Sequence, residues 1–94
     1  MDVRFCIDPE TGQPHIFEHG VTKEEVRQVL VRGGDDFRGS RKSRVRFGQT
    51  STGRYLKVFY VPDEERDSVF VITAYDLRAK ELKAFRRRQR RKQR

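Results

Sequence analysis

Arg44-Val45-Arg46-Phe47-Gly48-Gln49-Thr50-Ser51-Thr52-Gly53-Arg54-Tyr55-Leu56-Lys57-Val58-Phe59-Tyr60-Val61 reads as two β-strands joined by a turn, and it decides the fold class. Val45 and Phe47 alternate with Arg44 and Arg46, the period-2 signature of a half-buried strand. Gln49 to Arg54 is polar and closes on Gly53, as a hairpin turn should. Tyr55 to Val61 is aromatic and β-branched, which suits a pleated surface. Placing Gln49 opposite Arg54 sets Phe47 against Leu56 and Val45 against Val58, with one face apolar throughout. The same register sets Arg46 against Lys57. Two like charges in that position repel unless they are solvated or share an anion.

Working outward, Pro62 to Asp67 is a charged turn, and Ser68 to Tyr75 is a third β-branched run, so an antiparallel meander is expected. Asp76 is placed to cap a last helix from Leu77, with Leu82 and Phe85 as its apolar contacts. Upstream, Thr22 followed by Glu25 is a capping box, and Val21 and Val26 can form a hydrophobic staple, so a helix starts at Thr22 or Lys23. Val26, Val29 and Leu30 give it a buried stripe, and Gly33-Gly34 ends it. Val3–Ile7 is read as a short strand, His15–Gly20 as one helical turn closed by Gly20, and Asp35–Lys42 as a loop. The order is β, short α, α, β, β, β, α. That is an α+β domain with an antiparallel sheet of three or four strands packed with helices.

Ninety-four residues with 34% hydrophobic content make one modest core, so residues 1–85 are read as one domain. No apolar run approaches the roughly 18 residues of a membrane span. Neither a signal sequence nor a cysteine pair is visible, Cys6 being the only cysteine. A cytoplasmic protein without membrane contact is expected. The net charge of +8 is unevenly placed. Residues 1–85 hold 15 basic and 14 acidic side chains, while Arg86, Arg87, Arg88, Arg90, Arg91, Lys92 and Arg94 crowd into a basic tail, 86–94. Such tails meet polyanions.

From Phe37 to Pro62 there is no acid, but Arg38, Arg41, Lys42, Arg44, Arg46, Arg54 and Lys57 are basic. Half-exposed sheets usually mix both signs. Cations interleaved with Tyr55 and Phe59 suit RNA or DNA, since cations take phosphates and rings stack on unpaired bases. His15 and His19 lack the further ligands of a zinc site, so no metal and no cofactor are expected. His19 is a candidate proton-transfer group, because histidine alone titrates unperturbed between pH 5 and 8. Tyr75 ends a strand just before a helix, where side chains reach clefts. No nucleophile elbow or phosphate-binding glycine loop is present.

His19-Gly20-Val21-Thr22-Lys23-Glu24-Glu25-Val26, Phe47-Gly48-Gln49-Thr50, Gly53-Arg54-Tyr55-Leu56-Lys57-Val58 and Val71-Ile72-Thr73-Ala74-Tyr75, in this order, resemble the BrnT-type toxins of bacterial toxin–antitoxin pairs. They also resemble a related uncharacterised family whose last strand ends in Thr-Ala-Tyr. The resemblance covers roughly residues 5–85. It implies a RelE-like α+β fold, metal-independent cleavage of RNA, and neutralisation by a DNA-binding antitoxin made beside the toxin. It also implies His19, Arg44 or Arg46, and Arg54 as site residues; with Tyr75 for proton transfer, His19, Arg44, Arg46, Arg54 and Tyr75 are the expected catalytic residues. Arg38, Arg41, Lys42, Lys57, Arg86, Arg87, Arg88, Arg90 and Arg91 are the expected nucleic-acid contacts. Thr73-Ala74-Tyr75 departs from the toxins' Ser-Ala-Arg, and Gly12 and Pro14 break their first helix. The alternative is an RNA- or DNA-binding protein that uses the same basic surface without chemistry.

Overall fold

The capping box at Thr22 forms as the sequence dictates. In the computed structural model, which describes residues 1–92, the Thr22 hydroxyl accepts from the Glu25 N–H and the Glu25 carboxylate accepts from the Thr22 N–H, at 3.1 and 2.9 Å. Helix α1 (Lys23–Arg32) follows and stops at Gly33. Val21, Val26 and Val29 are fully buried. Just before it, His15–His19 makes a short 3-10 helix ended by Gly20 in the left-handed conformation, which glycine adopts at no steric cost.

Five strands, not three or four, make the sheet, and the fold is α+β: β1 (Asp2–Phe5), β2 (Asp35–Arg38), β3 (Arg44–Gln49), β4 (Tyr55–Asp63) and β5 (Ser68–Asp76). Their spatial order is β1-β5-β4-β3-β2. The sheet is mixed, not antiparallel throughout: β1 runs parallel to β5, pairing Asp2 with Ser68 and Phe5 with Val71. The expected first strand, Val3–Ile7, is shorter at its end, where Ile7 only bridges Pro14.

The expected loop at Asp35–Lys42 instead begins with β2, antiparallel to β3. Aspartates are poor strand formers, but here both carboxylates meet cations from other elements: Asp35 meets Arg88 and Lys92, and Asp36 meets Arg44 and Arg46. Gly34 lets this strand lie close to its neighbour. It sits at φ +154°, and a Cβ there would come within 2.0 Å of the Phe47 carbonyl oxygen.

The β3–β4 register differs by one residue from the expected one. Gln49 pairs with Tyr55, so Arg46 faces Val58 and Phe47 faces Lys57. A slip of one residue exchanges the two faces of a strand relative to its partner. The opposition of Arg46 and Lys57 therefore does not occur, nor does a face that is apolar throughout.

One face of the sheet carries the main core, where Leu56, Val58, Tyr60, Val69 and Val71 pack against Ile16 and α1. The other face is half covered. Helix α2 (Ala79–Lys92) lies over Phe47 and Tyr55 through Phe85 and Leu82. It starts at Ala79 and not at Leu77, and Asp76 ends β5 instead of capping the helix. The helix continues without interruption across residues 85 and 86, through most of the arginine-rich segment. Its far end is fastened to the body, with Arg88 and Lys92 on the Asp35 carboxylate. Arg94 of the basic segment lies outside the described residues. No helix among the described residues is long and apolar enough to cross a membrane.

Candidate functional site

Tyr75 and Lys57 are cross-strand partners, so their side chains emerge together on the half-covered face of the sheet. The short helix His15–His19 packs against β5 and brings the His19 ring to 5.3 Å from the Tyr75 ring. Phe59, one pair further along, stacks obliquely on Tyr75 at 5.5 Å. The Lys57 ammonium lies 5.0 Å from the centre of the Tyr75 ring and is held by Glu81 of α2 at 2.8 Å. His19, Lys57, Tyr75, Asp76, Arg78 and Glu81 line a cleft of about 270 Å³ at the start of α2.

Arg54 lies behind this cleft with its donors committed. Its Nε and Nη2 donate to the Asp76 carboxylate, Nη1 donates to the Gly20 carbonyl and to Glu25, and Nη2 also reaches the His19 carbonyl. One planar guanidinium thus joins the hairpin turn, the end of β5, the α1 cap and the backbone of His19. A fork of fixed donors can do this where a point-charged ammonium cannot. The guanidinium holds the Asp76 carboxyl below its ordinary value, chiefly by hydrogen bonding, and Asp76 in turn raises Arg54. The resemblance implies Arg54 as a catalytic residue, which for a guanidinium means a contact to the substrate phosphate. The geometry makes it a brace for the residues that line the cleft.

Arg44 and Arg46 lie elsewhere. Both share the face of Val58 and Tyr60, opposite to that of Lys57 and Tyr75. Each donates to Asp36, which also accepts from the Tyr60 hydroxyl. Arg46 further donates to the Leu30 carbonyl, one of the last-turn acceptors that α1 leaves without a helical partner. Burial works against ionisation of Asp36, but the hydrogen bonds from Tyr60, Arg44 and Arg46 outweigh it and bring the carboxyl below its ordinary value. The five expected catalytic residues therefore fall into three places: His19 and Tyr75 in the cleft, Arg54 behind it, and Arg44 and Arg46 across the sheet.

The acid complement that seemed missing from Phe37–Pro62 comes from outside that stretch. Asp36, Glu25, Asp76 and Glu81 neutralise Arg44, Arg46, Arg54 and Lys57. Arg38, Arg41 and Lys42 stay exposed, with no ion pair among the described residues. The same holds for Arg86, Arg87, Arg90 and Arg91, which with Lys80 and Lys83 cover the outer side of α2. Of the tail cations expected on nucleic acid, Arg88 alone is half-buried and paired within the molecule. Arg78 and Glu81 went unrecognised in the sequence. Their one signal is position, in the segment that leaves the last strand and opens the last helix.

The cleft offers an imidazole, a phenol, two cations and two carboxylates, of which Asp76 is paired with Arg54 and Glu81 with Lys57, so that Arg78 is its one cation without an ion pair among the described residues. That set can exchange protons and hold a phosphate. Among the described residues, Asp8, His15 and Glu18 form a second group, with ligand-type atoms within 4.8 Å of one another, close enough to approach one ion together. There the hydrogen bond to Asp8 raises the Glu18 carboxyl above its ordinary value.

The model of a protein family described as "Domain of unknown function (DUF4258)" matches residues 13–76, and the chain belongs to that family. The match begins just before the short helix and ends with β5. It includes His19, Arg54, Lys57 and Tyr75 and leaves out α2 with its cations. No curated protein and no solved structure matches the chain.

Proposed function

We propose that this protein is a metal-independent endoribonuclease, acting in the cytoplasm as the toxin of a pair whose antitoxin neutralises it. The observation that carries this reading is the pairing of His19 with Tyr75, rings 5.3 Å apart, in a cleft that also holds Lys57 and Arg78. The His19 imidazole takes the proton from an RNA 2′-hydroxyl, whose oxygen attacks the adjacent phosphorus. The bond from phosphorus to the 5′-oxygen breaks, and the Tyr75 hydroxyl protonates that oxygen. The products are a 2′,3′-cyclic phosphate and a 5′-hydroxyl, and solvent returns the proton from imidazolium to phenolate. Arg78 and Lys57 stabilise the charge that builds on the phosphoryl oxygens, Lys57 by turning from Glu81. Cations beside the phosphoryl oxygens lower the energy of the transition state as negative charge develops there.

The resemblance to BrnT-type toxins supports the same chemistry. It supplies the assignment of His19, while Tyr75 takes the position of the toxins' last-strand arginine and Arg78 is the cation nearest to it along the chain. The test is purified protein incubated with labelled RNA in EDTA, beside His19→Ala and Tyr75→Phe. Each substitution is expected to slow cleavage by about 10²–10⁴-fold with an unchanged melting temperature. RNA left intact by the wild-type protein overturns the reading.

The cations on the outer side of α2 favour a second reading, an RNA- or DNA-binding protein without chemistry. Intact RNA bound with steep salt dependence is its signature.

A further inference from the structure

Lys57 with Tyr75, Phe59 with Thr73, and Val61 with Phe70 form a row of cross-strand pairs on the half-covered face of the sheet. The row leads away from the cleft, and α2 leaves it uncovered. Between Phe59 and Tyr60 the β4–β5 register shifts, so that Ile72 is an extra residue in β5. Bulges of this kind re-aim side chains beside functional sites. Ile72 and Phe70 are both more than a third exposed, unusual for large apolar side chains in the middle of a strand. Ile72 and Val61 floor a hollow of about 440 Å³, within the range of small-ligand sites, and the β2–β3 turn supplies its rim as Ser40, Arg41, Lys42 and Ser43. Arg41 and Lys42 have no ion pair among the described residues.

We propose that this hollow is a subsite for an unpaired base of the RNA strand whose scissile phosphate lies in the cleft, and this rests on the ribonuclease reading. An apolar floor receives the flat base. Arg41 and Lys42 take the flanking phosphates. From Tyr75 to Ile72 is three residues of strand, about 10 Å at 3.2–3.4 Å per residue. That is about three nucleotides of stacked strand at 3.4 Å each, and fewer if the strand is drawn out. The aromatic ring of Phe59 lies between the two sites, beside Tyr75, where an intervening base can stack. A base can enter such a hollow only from single-stranded RNA, so the subsite makes loops and single strands the substrate class.

The test uses hexauridine and hexaadenine RNAs carrying 2′-O-methyl sugars, which cannot undergo attack by the 2′-oxygen, and the dinucleotides of the same bases. Ile72→Ser and the pair Arg41→Gln with Lys42→Gln are compared with the wild-type protein, each checked by thermal melting. Both variants are expected to bind hexamers about tenfold more weakly and dinucleotides unchanged. On cleavable hexamers KM rises while kcat holds. Hexamer affinity equal in all three proteins overturns the subsite and leaves the ribonuclease reading standing. Failure of the wild-type protein to bind any RNA overturns both. Variants that bind RNA normally but lose a polyglutamate peptide assign the hollow to an acidic protein instead.

Discussion

Replacing Arg54 with alanine separates a brace from a substrate contact. The Arg54 side chain is 27% exposed and donates to two carboxylates and two main-chain carbonyls. Removing one partner from a fully buried charge pair costs about 3–5 kcal/mol, while an exposed pair is worth about 0–1 kcal/mol. Arg54 lies between these limits, so roughly 2–3 kcal/mol is expected once solvent screening is allowed for. In a domain of this size each kcal/mol moves the melting temperature by about 4–8 °C, so Arg54→Ala is expected to melt roughly 10–20 °C lower. Circular dichroism measures the transition. Arg54→Lys is expected to recover only part of the loss, because an ammonium cannot span partners on three sides. Cleavage then falls in Arg54→Ala even well below its melting point, since the backbone that carries His19 has lost its anchor. A melting temperature within about 3 °C of wild type, with cleavage abolished, would refute the brace and return Arg54 to the substrate phosphate.

Gly34→Ala places a Cβ 2.0 Å from the Phe47 carbonyl oxygen at φ +154°; a loss of about 3 kcal/mol is expected by urea denaturation, and a change under about 1 kcal/mol contradicts the close approach of β2 to β3. Asp35, Asp36 and Asp76 all have folded-state values below the ordinary 3.8. Their contribution to stability is full above the unfolded value and lost as pH falls through the lower folded values, so melting temperatures measured from pH 6 downward should hold to about pH 5 and then decline. Stability that is flat down to pH 2 contradicts the ion pairs of Asp36 and Asp76. Changing Arg86, Arg87, Arg90 and Arg91 to glutamine should lower the slope of log affinity for single-stranded RNA against log salt by up to about 3, at roughly 0.7 for each phosphate contact. An unchanged slope removes the outer side of α2 from the RNA interface.

The parts of the fold that depend on neighbours in sequence were legible: Thr22 with Glu25, the stop at Gly33, the single turn before Gly20, the alternation of β3, and the β-branched runs of β4 and β5. What escaped was set by partners far away along the chain. Asp35-Asp36-Phe37-Arg38 reads as a loop until Arg88, Lys92, Arg44 and Arg46 supply its counter-charges. The hairpin register turned on one residue of turn length, and that residue decided the side of the sheet on which Arg44 and Arg46 emerge. His19, Lys57 and Tyr75 were all candidates, but the sequence could not say that they meet. Nor could it separate Arg54 from a phosphate ligand, because both roles ask for the same side chain.

The parallel pairing of Asp2–Phe5 with Ser68–Val71 has a kinetic consequence. This ladder closes a loop of about two-thirds of the chain, from Asp2 to Ser68, so its entropy cost falls due only after β3, β4 and β5 have assembled. β1 is thus expected to zip on last and to fray first. While it is off, the outer edge of β5 stands open from Ser68 to Val71, beside the exposed Phe70, as a template for any extended chain that meets it. The first five residues therefore act as the molecule's own guard against joining to its neighbours.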